Sequence, residues 1–140
     1  EVPLRTARAA GIAQPTSEDG QQSLSVLTTL AQLRRPVQLP SQVVHGDLFG
    51  TVLFAGAAAP AITDIVPYWR PASWGAAVTV VDALAWGGAD GELIERWSDH
   101  PEWGQMLLRA TMFRLAVHAL HRARRPVRCP VCCAWSTRSG

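Results

Sequence analysis

The feature that most constrains this chain is a pair of short apolar runs, each delivering one aspartate to a loop. Val43-Val44 runs into His45-Gly46-Asp47, Val52-Leu53-Phe54 leaves that turn, and Ala61-Ile62-Thr63-Asp64 returns after a Gly- and Pro-containing connection over residues 56–60. Sixteen residues separate Asp47 from Asp64. Short runs of β-branched and aromatic residues punctuated by Gly and Pro read as strands. The pattern therefore predicts a small β-hairpin with a carboxylate at each loop.

Around this hairpin the sequence reads as helix. Leu24, Leu27, Leu30, Ala31 and Leu33 recur at helical spacing from about Ser23 to Arg35, where Pro36 ends the period. Pro36-Val37-Gln38-Leu39-Pro40 reads as extended because each proline restricts its predecessor. Pro67-Tyr68-Trp69-Arg70-Pro71 reads as a rigid aromatic turn. Between Ala72 and Trp86 only Ser73, Thr79 and Asp82 interrupt an apolar or small sequence, which predicts a buried helix, although Val78-Thr79-Val80-Val81 also suits a strand. Gly87-Gly88 ends that segment, and Asp90 can cap a short helix carrying Leu93, Ile94 and Trp97.

Pro101, with Asp99 just before it, fits the first turn of a final helix. In that helix Trp103, Met106, Leu107, Ala110, Phe113, Val117 and Leu120 form one apolar stripe, and Arg114, His118, His121, Arg122 and Arg125 a basic flank. The fold class expected is α+β and mostly helical. A flexible N-terminal segment is expected over residues 1–21, a folded unit over 22–122 and an irregular basic, cysteine-containing tail over 123–140.

Composition narrows the class. Hydrophobic residues make up 48% of the 140 and charged residues 17%, which suits one globular domain or lobe. A net charge of +2 gives no argument for nucleic acid, and no apolar run reaches the ~18–20 residues that span a bilayer. Neither nucleic acid nor membrane is expected as a partner. Cys129, Cys132 and Cys133 form an odd cluster near the end of the chain, so a reducing, cytoplasmic setting is the expectation. Paired with His118 and His121 they offer a zinc set on paper, without the spacing of a known finger. Arg122, Arg124, Arg125 and Arg128 read as a solvated helix end.

The His-Gly-Asp-Leu loop, the strand after it, the hairpin and the Ile-x-Asp that closes it resemble the catalytic and metal-binding loops of the aminoglycoside phosphotransferase and choline kinase family of the protein kinase-like fold. The likeness covers about residues 22–122 and is strongest over 37–86. It is particularly close to an uncharacterised actinobacterial subgroup with a Pro-Tyr-Trp-Arg-Pro segment after the second aspartate.

The resemblance implies the C-terminal lobe of that fold, with Asp47 as the catalytic base or orienting residue. It implies Asp64 as a magnesium ligand, Thr51 at the position of a second metal ligand, and His45 as a loop-holding residue. ATP and Mg²⁺ are the implied cofactors, and a small-molecule hydroxyl the implied substrate.

The chain departs from that pattern in several ways, among them Arg70, Ser73, Trp74 and Gly75 where the family has an Asp in the helix after the second metal ligand. All 13 of its basic residues are Arg, and it contains neither Lys nor Asn, the residues that normally meet the phosphates and a metal ion. Thr51 stands where the family has Asn, although a threonine hydroxyl can ligate Mg²⁺. The residues before the loop contain no Gly-rich strand pair, and Glu1 rather than Met opens the sequence, as in a fragment or processed product.

Three functions are therefore expected to compete. They are a partial, inactive phosphotransferase lobe, a non-catalytic interaction module with a partner protein on an exposed lobe face, and a phosphotransferase active only when a separate nucleotide lobe completes it.

Overall fold

The computed structural model describes residues 18–123. The first seventeen residues of the expected N-terminal segment lie outside that range, as do the three cysteines and the basic residues from Arg124 onward.

The elements in order are α1 (Glu18–Gln32), β1 (Gln42–His45), β2 (Val52–Leu53), β3 (Ala61–Ile62), β4 (Pro67–Arg70), α2 (Ala72–Trp86), α3 (Glu92–Glu95) and α4 (Trp103–Ala123). The class is α+β, with roughly half of the described residues helical and two small antiparallel strand pairs.

The two pairs are nested. β2 and β3 form the expected hairpin, with Val52 opposite Ile62 and Leu53 opposite Ala61. β1 and β4 close around it, with Gln42 opposite Arg70, Val43 opposite Trp69, Val44 opposite Tyr68 and His45 opposite Pro67. The Pro67–Arg70 segment is thus a strand, not the turn its prolines suggested. Pro67 opens that strand and Pro71 follows it, so neither removes a hydrogen bond from the middle of the ladder.

α4 is the central element, flanked by α1 and α2, with β1 packed on α2. Val44, Trp74, Ala77, Val78, Val80, Trp103, Met106 and Ala110 make the core. Tyr68 of β4, Trp74 of α2 and Phe113 of α4 meet in a triangle with ring centroids 5.3–5.5 Å apart, the two contacts to Phe113 edge-on. Such tilted and edge-to-face pairs are favourable beyond their buried area, and they fix the outer strand pair to both helices.

α2 spans the expected Ala72–Trp86, because Pro71 starts it and Gly87-Gly88 stops it. α1 begins earlier and ends earlier than its leucine period implied. Leu33 and Arg34 close it with short-range bonds to Leu30 and Ala31. Gln105 of α4 takes over the ends beyond, accepting from the Arg35 N–H and donating to the Leu33 carbonyl. Asp90 accepts the Glu92 N–H at 3.1 Å, as expected of a cap.

α4 starts two residues after Pro101, at a Glu102 held at φ 57° whose carbonyl accepts the first helical bonds. Of the expected stripe, Trp103, Met106 and Ala110 are buried, whereas Val117 and Leu120 are exposed.

Candidate functional site

The nested strand pairs bring both aspartate loops to one place. Asp47 follows β1 by two residues, Asp64 precedes β4 by three, and His45 ties the loops together. Its Nδ1 accepts the Asp47 N–H at 3.1 Å, which leaves the proton of the neutral ring on Nε2, where it is donated to the Asp64 carbonyl at 2.8 Å. Gly46 donates its N–H to the Val66 carbonyl at 2.8 Å and is overlaid by Tyr68. A Cβ at Gly46 would stand 2.4 Å from the Tyr68 ring, so only glycine fits this approach.

Thr51 closes the other side of the turn. Its hydroxyl donates to the Asp47 and Leu48 carbonyls, each at 3.0 Å, and its own carbonyl accepts both the N–H and the hydroxyl of Thr63. Gly50, at φ 81°, provides the left-handed residue the turn requires.

The carboxylate of Asp47 faces α4. Arg114 Nη2 donates to Asp47 Oδ1 at 2.7 Å, and the same guanidinium engages both oxygens of Asp82 through Nε and Nη2. Asp82 is 1% exposed, in the middle of an otherwise apolar helix. Burial works against the charge on Arg114, but the hydrogen bonds and attraction from Asp82 and Asp47 outweigh it and raise its pKa above the ordinary guanidinium value. Arg114 therefore belongs to the interior of the site, not to the basic flank on which helical periodicity placed it.

Asp82 and Arg114 are the two residues of this site that sequence reasoning missed. A signal was present: a lone carboxylate among the buried positions of an apolar helix requires a cation from elsewhere.

The donors that the resemblance assigns to magnesium already have other partners in this arrangement. The Asp47 carboxylate is shared with a guanidinium, and Asp64 is exposed with Oδ1 accepting the Ile65 N–H at 2.8 Å. The Thr51 proton is directed to backbone carbonyls. Among the described residues no group of three or more His, Cys, Asp or Glu side chains is placed to hold a metal ion. Magnesium is commonly held by one or two carboxylates with waters and substrate phosphates completing its shell, so any ion here would rest on Asp47 and Asp64 with most of its ligands from outside the protein.

A cavity of about 500 Å³ opens beside the loop, between β1, α2 and α3, with Val44, His45, Leu48, Gly75 and Thr79 among its walls. Neither Asp47 nor Asp64 is among its walls, although His45 and Leu48 on either side of Asp47 are. No helix among the described residues is long and apolar enough to cross a membrane.

Comparisons of the chain with protein-family models, with curated proteins and with solved structures gave no match.

Proposed function

We propose that this chain is a lobe of the aminoglycoside phosphotransferase and choline kinase type in which the catalytic position is closed by an internal ion pair, so that alone it transfers no phosphoryl group. The observation that carries this reading is Arg114, which bridges a sealed Asp82 to Asp47. A base that accepts a substrate proton needs a free oxygen within hydrogen-bond reach of that proton. Here a permanently charged donor already holds Oδ1 of the residue at that position and fixes the carboxylate toward α4, leaving Oδ2 alone for a substrate proton.

Two further observations agree. The meeting of the His45-Gly46-Asp47 and Asp64 loops at the nested strand pairs is the arrangement the resemblance implies. The absence of Lys and Asn from these 140 residues removes the side chains that normally neutralise phosphates and hold a second metal ion.

Titration calorimetry with Mg-ATP tests the reading. No binding heat is expected from the unaltered chain. Binding that weakens in Asp64→Ala would overturn it in favour of an active lobe that takes its nucleotide-covering part from another polypeptide.

A second reading, an interaction module, is favoured by one specific feature. Phe54 and Ile65 are each 78% exposed, and Leu53, Ile62 and Trp69 are also largely exposed on the same hairpin and the strand after it. Monomeric proteins seldom leave many large apolar side chains uncovered in one region, and such regions mark contact surfaces. The two readings are compatible: a lobe closed at Asp47 retains a surface on which another chain can sit.

A further inference from the structure

A second cavity, of about 320 Å³, lies between α1, Pro71 and α4 and shares no lining residue with the cavity beside the aspartate loop. Its floor is apolar and aromatic, built from Trp74, Met106 and Phe113 among others. Three guanidiniums, those of Arg34, Arg70 and Arg109, share its wall, and no acidic side chain lines it.

Among the described residues none of the three forms an ion pair. Glu102, whose negative charge reaches Arg109, lies 3.9 Å from Arg35. Three like charges around one opening repel each other unless an anion joins them.

Arg109 shows the consequence. One of its terminal nitrogens, Nη2, donates to the Arg35 carbonyl at 2.8 Å, but its Nε is buried with no acceptor among the described residues. Burial and the positive charges of Arg34 and Arg70 together lower its pKa, against the opposing pull of Glu102. Arg70 sits 5.9 Å from the centre of the Trp74 ring and gives only one nitrogen, Nη1, to a backbone carbonyl, that of Trp69. Most of its fork remains open to a ligand. Planar guanidiniums with several free donors match the oxygens of a carboxylate or phosphate. A pocket at the small end of the ligand-binding range, apolar below and charged at the rim, suits a compact amphiphile.

We propose that this cavity is a binding site for a small amphiphilic oxyanion, its headgroup held by Arg34, Arg70 and Arg109 and its apolar body lying on Trp74, Met106 and Phe113. It lies apart from the Asp47 loop, and it stands or falls independently of the reading given to that loop.

Calorimetry or ligand-observed NMR with octyl phosphate and octanoate tests it, with inorganic phosphate and octanol as the head-only and body-only probes. At least one of the two amphiphilic anions is expected to bind about tenfold or more tighter than either half-probe, as charge-assisted hydrogen bonds added to apolar burial imply. Which of the two binds tighter identifies the headgroup. The double substitution Arg34→Gln, Arg70→Gln removes two exposed guanidiniums without touching the Arg109 bond to the Arg35 carbonyl, so it is expected to leave the melting temperature in place and weaken binding about tenfold or more. Octanol binding as tightly as the anions, unchanged binding in the double variant, or no binding by either anion would each overturn the proposal.

Discussion

Asp82 and Asp47 accept hydrogen bonds from the same guanidinium but stand in different surroundings, and this difference decides what each contributes. The Asp82 side chain is 2% exposed and that of Asp47 48% exposed. Leaving a buried charge without its partner typically costs about 3–5 kcal/mol, whereas an exposed ion pair contributes about 0–1 kcal/mol. In urea unfolding, Arg114→Leu is therefore expected to lower stability by about 3–5 kcal/mol. Asp47→Asn is expected to lower it by about 1 kcal/mol or less. The double variant Asp82→Leu, Arg114→Leu should recover much of the loss of the single one, because it removes both charges from the interior. Additive losses would show that Asp82 and Arg114 are not coupled.

The pair also has a definite pH behaviour. A base whose folded pKa is raised contributes stability that is present below its unfolded pKa and lost only as pH rises through the folded one. For Arg114 that window lies above the ordinary guanidinium range. The stability of the native chain should accordingly show no loss from deprotonation of Arg114 in urea unfolding from neutral to moderately alkaline pH.

At the scale of elements, the outer strand pair is held where Gly46 meets Tyr68. Gly46→Ala would place a methyl group 2.4 Å from the Tyr68 ring, which also contacts Trp74 and Phe113. Displacing that ring is expected to cost about 1–3 kcal/mol, as overpacking generally does. The loss should appear in thermal unfolding, together with a changed near-ultraviolet circular dichroism signal from the aromatic triangle. An unaltered signal at full stability would mean that the ring does not close over the glycine.

Elements with local punctuation were legible in the sequence. α2 is bracketed by Pro71 and Gly87-Gly88, and the β2–β3 hairpin by Gly and Pro. β4 was not legible, because two prolines around an aromatic pair look the same in a turn as in a strand whose proline stands at its first position. Arg114 was not legible either. Helical spacing sets it beside the apolar stripe, but its orientation depends on a carboxylate thirty-two positions earlier in the chain. The Asp47 loop was readable as a turn because Gly46 and Gly50 stand on either side of Asp47. What Asp47 faces there is a long-range fact that no local pattern carries.

For the molecule as a whole, the question is what meets the hairpin surface. Phe54, Ile65, Leu53 and Ile62 are exposed there, while the core lies on the far side of β1 against α2 and α4. In a solution of this chain alone, the apolar surface on offer at rising concentration is that of a second copy. Sedimentation measured from micromolar to near-millimolar concentration is expected to show reversible association of the native chain. The substitutions Phe54→Ser and Ile65→Ser, both at positions largely in solvent, should keep the chain monomeric over the same range. Surface changes of this kind usually alter stability by no more than about 0.5 kcal/mol, so the circular dichroism spectrum and melting temperature serve as the control. Equal association by native chain and variant would locate the contact elsewhere. A native chain that stays monomeric throughout would mean that these side chains do not drive self-association. Because Asp47 and Arg114 lie outside the exchanged residues, Arg114→Leu should not change the association of whatever fraction remains folded. That separates the apolar hairpin surface from the Asp47–Arg114–Asp82 ion pairs.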